Sequence, residues 1–116
     1  MKAWILKNYP DAVILDVGAN LDLPNTMDAV EEWEPKCIQI REKYRNVFHK
    51  DISSFEYGEY DLVVFGFMPS EKAIRYAKGK AKDVLLPAPH EGFVKIPNVA
   101  FYHMKEKNRG KRNQNV

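Results

Sequence analysis

The sequence predicts a small three-layer α/β domain, built mainly on a parallel sheet and closed by a C-terminal antiparallel hairpin. Short apolar runs recur at Ala12-Val13-Ile14-Leu15, Cys37-Ile38-Gln39-Ile40, Asn46-Val47-Phe48-His49, Asp61–Phe67 and Asp83-Val84-Leu85-Leu86. The unbroken ones suit strands covered on both faces. Amphipathic stretches separate several of these runs, which is the pattern of crossover units in a parallel sheet. The last two extended stretches, Phe93–Ile96 and Val99–Tyr102, flank Pro97-Asn98, a turn signal suited to a hairpin.

Length and composition set the outer bounds. A chain of 116 residues reads as one domain over residues 1–104, and 45% hydrophobic residues supply enough apolar surface for a single core. Residues 105–116 read as a basic, disordered tail: five cations from Lys105 to Arg112 stand against Glu106, a surplus of four. The net charge is +2, so the remainder sums to about −2 and is nearly neutral. No apolar run approaches the ~20 residues of a membrane span and no signal-peptide pattern opens the chain, so the expected location is the cytoplasm. Cys37 is the only cysteine, which excludes an internal disulfide and a cysteine-built zinc or redox site. In its apolar run it reads as a small buried hydrophobe.

Taken in order, residues 2–9 form a short helix that Pro10-Asp11 ends. The run at 12–15 is the first strand, followed directly by Gly18. Pro24-Asn25-Thr26 looks like a helix start, with Asn25 or Thr26 as N-cap, Met27, Ala29, Val30 and Trp33 as its apolar face, and Pro35 as its end. Cys37–Ile40 then alternates as a second strand and Asn46–His49 is a short third. Asp61–Phe67 is the strongest and most central strand. Pro69-Ser70-Glu71 opens a helix to about Lys82, which buries Ala73, Ile74, Ala77 and Ala81 and turns Lys72, Arg75, Lys78 and Lys82 largely outward; Gly79 weakens it by about 1 kcal/mol relative to alanine. Asp83–Leu86 is the fifth strand, stopped by Pro87-Ala88-Pro89.

An open parallel sheet binds ligands beyond the carboxyl ends of its strands, where strand order reverses. That rule selects Asp16-Val17-Gly18-Ala19-Asn20, Arg41-Glu42, Lys50-Asp51-Ile52 and Gly66-Phe67-Met68-Pro69 as the walls of one crevice. Gly18 removes a β-carbon where a ligand must approach the main chain. Glu42 lies 24 residues beyond Gly18, near the spacing at which a carboxylate accepts both ribose hydroxyls in nucleoside-binding sites of this kind. The alternatives are plain: Glu42 in a solvated charge run, Asp51 capping Ser53-Ser54, and Asp61 as a turn residue. His49, Asp51 and His90 have no diagnostic metal spacing, and without Gly-Lys-Ser/Thr there is no triphosphate loop.

The Asp16-Val17-Gly18-Ala19-Asn20 string resembles the motif that opens the class I S-adenosylmethionine-dependent methyltransferase fold, a Rossmann-like domain. That resemblance implies S-adenosylmethionine as cofactor. Asp16 would then act on its ammonium group, Glu42 on the ribose and Asp51 on the adenine amino group, with Gly18, Asn20 and Gly66 lining the site. Asn20 and Asp22 stand where the motif usually carries further glycines. Over residues 12–104 the layout is also similar to a short archaeal family of methyltransferase-like Rossmann proteins, through the Asp-Val-Gly turn, Asp51-Ile52, Pro69, Pro87–Gly92 and Phe101-Tyr102-His103. This second resemblance implies the fold and no particular activity.

Methyl transfer chiefly needs a nucleophile positioned near the methyl group, sometimes beside a general base. His90 and Glu91, after the fifth strand, are the candidate catalytic pair, and their alternative is an ordinary polar loop. Full-length methyltransferases cover their substrates with insertions that this chain lacks, so a homodimer or larger partner is expected to complete the pocket. The competing reading is a non-enzymatic nucleic-acid or protein-binding module that uses the basic tail and the basic helix face. A nicotinamide cofactor in the same crevice is disfavoured, because Gly-x-Gly-x-x-Gly is missing.

Overall fold

The computed structural model describes residues 2–18, 27–52 and 56–106. Its elements are α1 (Lys2–Asn8), β1 (Ile14–Val17), β2 (Asp28–Glu31), α2 (Glu34–Ile40), β3 (Asn46–His49), β4 (Tyr60–Phe65), α3 (Glu71–Lys80), β5 (Ala81–Leu86), β6 (Phe93–Lys95) and β7 (Tyr102–Met104). The strands form one mixed sheet in the order β3-β2-β1-β4-β5-β7-β6. The first five in that order pair in parallel, and β7 pairs antiparallel with both β5 and β6.

Side-chain alternation along the strands sends residues to two cores. Ile14, Ala29, Leu62, Val64 and Leu85 face the side covered by Ile5 of α1 and Ile40 of α2. Leu15, Val17, Val30, Val63, Phe65, Val84 and Leu86 face the other side, where Ile74 and Ala77 of α3 lie. The three-layer arrangement follows, because central strands with apolar residues on both faces need cover on both. Among the described residues no helix is long and apolar enough to cross a membrane.

Between Met27 and Ile40 the order of elements is the reverse of the sequence expectation. Asp28–Glu31 is a strand, buried at all four positions, and Glu34–Ile40 is a helix that buries Cys37 and Ile40 three residues apart while Ile38 is exposed. Pro35 is the reason both patterns are legible. Proline ends a helix that it interrupts, yet is well placed in a first turn, where the missing N–H has no intrahelical acceptor. Here it sits in the first turn of α2. The expected helix start at Asn25 or Thr26 lies outside the described residues.

The other elements keep close to expectation. Ser70 caps α3, its Oγ accepting from the Ala73 amide at 3.2 Å. The closing hairpin is displaced: its second strand is Tyr102–Met104, reached through a wider loop that carries Asn98 at φ 63°. Asn tolerates that left-handed conformation, so the chain turns at the expected place although the strand begins later.

Buried polar groups tie the layers together. Asp28, 4% exposed, accepts from Arg45 Nε and Nη2, from Asn46 Nδ2, all at 2.9 Å, and from the Tyr60 hydroxyl at 2.8 Å. Burial pushes its carboxyl up, but the bonds from Arg45, Asn46 and Tyr60 outweigh this and hold it below the usual carboxylate range. Asp83 in β5 accepts from the Tyr9 hydroxyl and from the Met104 amide, linking the segment after α1 to the hairpin. Asp61 accepts from the Val13 amide at 2.8 Å and pairs with Lys82 at 3.7 Å, so it anchors the entry to β1. Beside it an open hollow of about 270 Å³, lined by Tyr9, Asp11, Asp61 and Lys82, lies at the amino end of the sheet.

Candidate functional site

Strand order reverses between β1 and β4, so the crevice of an open α/β sheet falls at the turns after those two strands. The turn after β1 is Gly18, at φ 94°. Its amide donates to Val30 O at 2.9 Å, and the Gly66 amide after β4 donates to Val17 O, also at 2.9 Å. A β-carbon on Gly18 would stand 2.9 Å from Cδ1 of Phe67 and 3.9 Å from the Cα of Gly66. Both the backbone conformation and the close approach therefore require glycine here. Asn20 lies outside the described residues.

Asp16 is fully buried in β1, its Oδ2 accepting from the Tyr44 hydroxyl at 2.6 Å. It sits under the crevice and presents no exposed surface to a ligand as arranged. Asp51 follows β3 and is exposed at the carboxyl end of the sheet.

Glu42 is the residue that the sequence misplaced. The expectation put it just past the second strand; it lies instead in the turn between α2 and β3, at the amino end of the sheet, away from Gly18. The physical reason is the strand-helix exchange over residues 27–40: a crossover helix returns the chain to the end from which the next parallel strand starts. The carboxylate that does end β2 is Glu31, 8% exposed. Its Oε2 accepts from the Trp33 amide at 3.1 Å, and its Oε1 lies 3.5 Å from Lys36 Nζ. Lys36 also donates to the carbonyl oxygen of Gly18 at 3.3 Å, which places Glu31 and the Gly18 turn around one corner of the crevice. An ionised carboxylate there can accept from both hydroxyls of a vicinal diol. The signal that could have found Glu31 is Glu34-Pro35 read as a helix opening, which makes the preceding Asp28–Glu31 a strand.

His90 and Glu91 do not form the expected pair. The partner of His90 is Glu71 at the start of α3, with Nε2 to Oε1 at 2.8 Å, while Nδ1 lies 2.9 Å from the Glu91 carbonyl oxygen and the Glu91 carboxylate takes no part. Both partners are acceptors, an arrangement that favours the protonated ring. The Glu71 hydrogen bond accordingly raises the His90 pKa above its ordinary value, against a smaller opposing effect of burial. What the pair does is fasten the loop after β5 to the start of α3.

The remaining candidates separate. His49 ends β3 and His90 follows β5, with three strands between them, and among the described residues no group of three His, Cys, Asp or Glu could hold a metal. The basic side chains of α3 and its continuation are largely engaged: Lys78 lies over the Phe93 ring, Lys80 over Tyr76, and Lys82 beside Asp61. The cations after Glu106 lie outside the described residues.

In fold, the chain is similar to the crystal structure of the O-methyltransferase from the trans-AT PKS multienzyme of Brevibacillus brevis in complex with S-adenosyl-L-homocysteine. The TM-score is 0.51 at 17% identity, over 87% of this chain and 45% of that one. A second solved structure, StiE O-MT residues 942–1257, aligns with a TM-score of 0.45 at 14% identity, over 75% of this chain and 39% of that one. The chain therefore spans less than half the length of either. No family model matches it, and no curated protein matches its sequence. The likeness to the first structure is one of fold, over 87% of this chain.

Proposed function

We propose that the chain binds S-adenosylmethionine, or its product S-adenosylhomocysteine, in the crevice after β1 and β4. The observation that carries this reading is the position of Glu31: a carboxylate ending the strand next to β1, joined through Lys36 to the glycine turn at the switch point. Gly18 admits the ligand to the main chain, Glu31 takes the ribose hydroxyls in the role expected of Glu42, and Asp51 and Gly66 line the adenine and methionine sides. The S-adenosylhomocysteine bound to the structure of similar fold supports the choice among nucleosides. Transfer of the methyl group to an acceptor is the function in keeping with that fold. His90, bonded to Glu71, would orient the loop beside the acceptor.

Titration calorimetry with S-adenosylhomocysteine tests the reading, with Glu31→Gln and Glu42→Gln as the informative variants. Replacing Glu31 removes a charge-assisted acceptor worth about 1.5–3 kcal/mol, so affinity falls by roughly tenfold or more, whereas Glu42→Gln leaves it unchanged. Equal loss in both variants, or no heat from the wild-type protein at millimolar ligand, rejects the assignment.

A further inference from the structure

Lys36 stands where the ligand's hydroxyls would bind. Its ammonium is 3.5 Å from Glu31 Oε1 and 3.3 Å from the Gly18 carbonyl oxygen, so it bridges the end of β2 and the turn after β1. The carboxylate it holds is well buried, with 11% of the side chain exposed, while Lys36 itself keeps 29%. A cation in the first turn of α2 is unfavourable to the helix, whose amino end carries partial positive charge. The bridge therefore holds Lys36 in place, and not the helix.

We propose that Lys36 is an internal competitor for the diol-binding corner of this crevice, so that a ribose enters only by displacing its ammonium from Glu31 and Gly18. The inference rests on the nucleoside reading above. Displacement exchanges an ion pair for hydrogen bonds from neutral hydroxyls, and the open form of the site is the minority form. Apparent affinity is lowered by the fraction of molecules that are open. Release is feasible because the lysine stem is flexible and the side chain is only partly buried.

The test is calorimetric titration of S-adenosylhomocysteine into wild type, Lys36→Met and Lys36→Gln. Thermal melts establish that each variant is folded. Both variants are expected to bind about five- to tenfold more tightly than wild type. Binding by the variants alone is the extreme form of the same result and supports it. Variants that bind no more tightly than wild type overturn the competitor role and leave the nucleoside reading standing. No binding by any of the three proteins overturns both.

Discussion

Replacing Gly18 by alanine should cost stability by two separable routes. Alanine at φ 94° meets backbone strain of roughly 1–2 kcal/mol, by analogy with left-handed conformations. The new methyl would also lie 2.9 and 3.1 Å from two carbons of the Phe67 ring, inside the 3.5–4.0 Å of an ordinary carbon contact. The ring can yield only in part, because it packs edge-on against Phe65, which is 1% exposed. Such crowding costs about 1–3 kcal/mol. The total of about 2–5 kcal/mol is a large share of the roughly 5–15 kcal/mol that stabilises a domain. Urea unfolding followed by circular dichroism measures it, and the double variant Gly18→Ala with Phe67→Ala separates the routes, since removing the ring abolishes the clash and leaves the strain. A Gly18→Ala cost below about 0.5 kcal/mol refutes both terms. Equal costs for Gly18→Ala with and without the Phe67→Ala change refute the clash alone.

Three further predictions concern titrating groups and their partners. The carboxyl of Asp28 is held below its ordinary range, so its contribution is present above the unfolded pKa and is lost as pH falls through the folded one. The stability advantage of wild type over Asp28→Asn should therefore shrink in acid, and an advantage constant from pH 7 down to about pH 2 contradicts it. Tyr60→Phe, which removes one buried bond to that carboxylate, should cost about 1.5–3 kcal/mol by denaturant melts. For His90 the sign reverses: its pKa is raised, so the pair with Glu71 stabilises below the unfolded pKa and fades as pH rises through the folded one. Because Glu71 is 68% exposed, His90→Gln should cost no more than about 1 kcal/mol near pH 5 and nothing near pH 9; a loss equal at both would show packing rather than charge.

The elements that were legible in the sequence share a property. β1, β4 and β5 are apolar at nearly every position, and α3 carries both a cap at Ser70 and a 3.6-residue pattern, so local composition points one way. Gly18 and Gly66 follow such strands, and their placement at one end of the sheet came with them, while Asp51 follows the short β3. Residues 27–40 lack this consistency. Met27, Ala29 and Val30 fit one face of a helix as well as two faces of a strand, and short apolar runs do not separate the two by period. Glu42 was lost with that segment and Glu31 was hidden by it. The Glu71 partner of His90 was invisible for a different reason: the two are 19 residues apart on different elements, and only the packing of α3 against β5 brings them together.

By itself the sequence determined a three-layer α/β domain whose central strands are buried on both faces, because only that arrangement satisfies strands without a polar side. It also determined that a glycine would end the first strand. The tertiary structure decided which carboxylate stands beside that glycine. Sheet order and register make Glu31 its neighbour and send Glu42 to the opposite end, since each crossover helix reverses the direction of the chain. It likewise decided that Lys36 bridges the corner, because a contact among β1, β2 and α2 exists only once all three are packed.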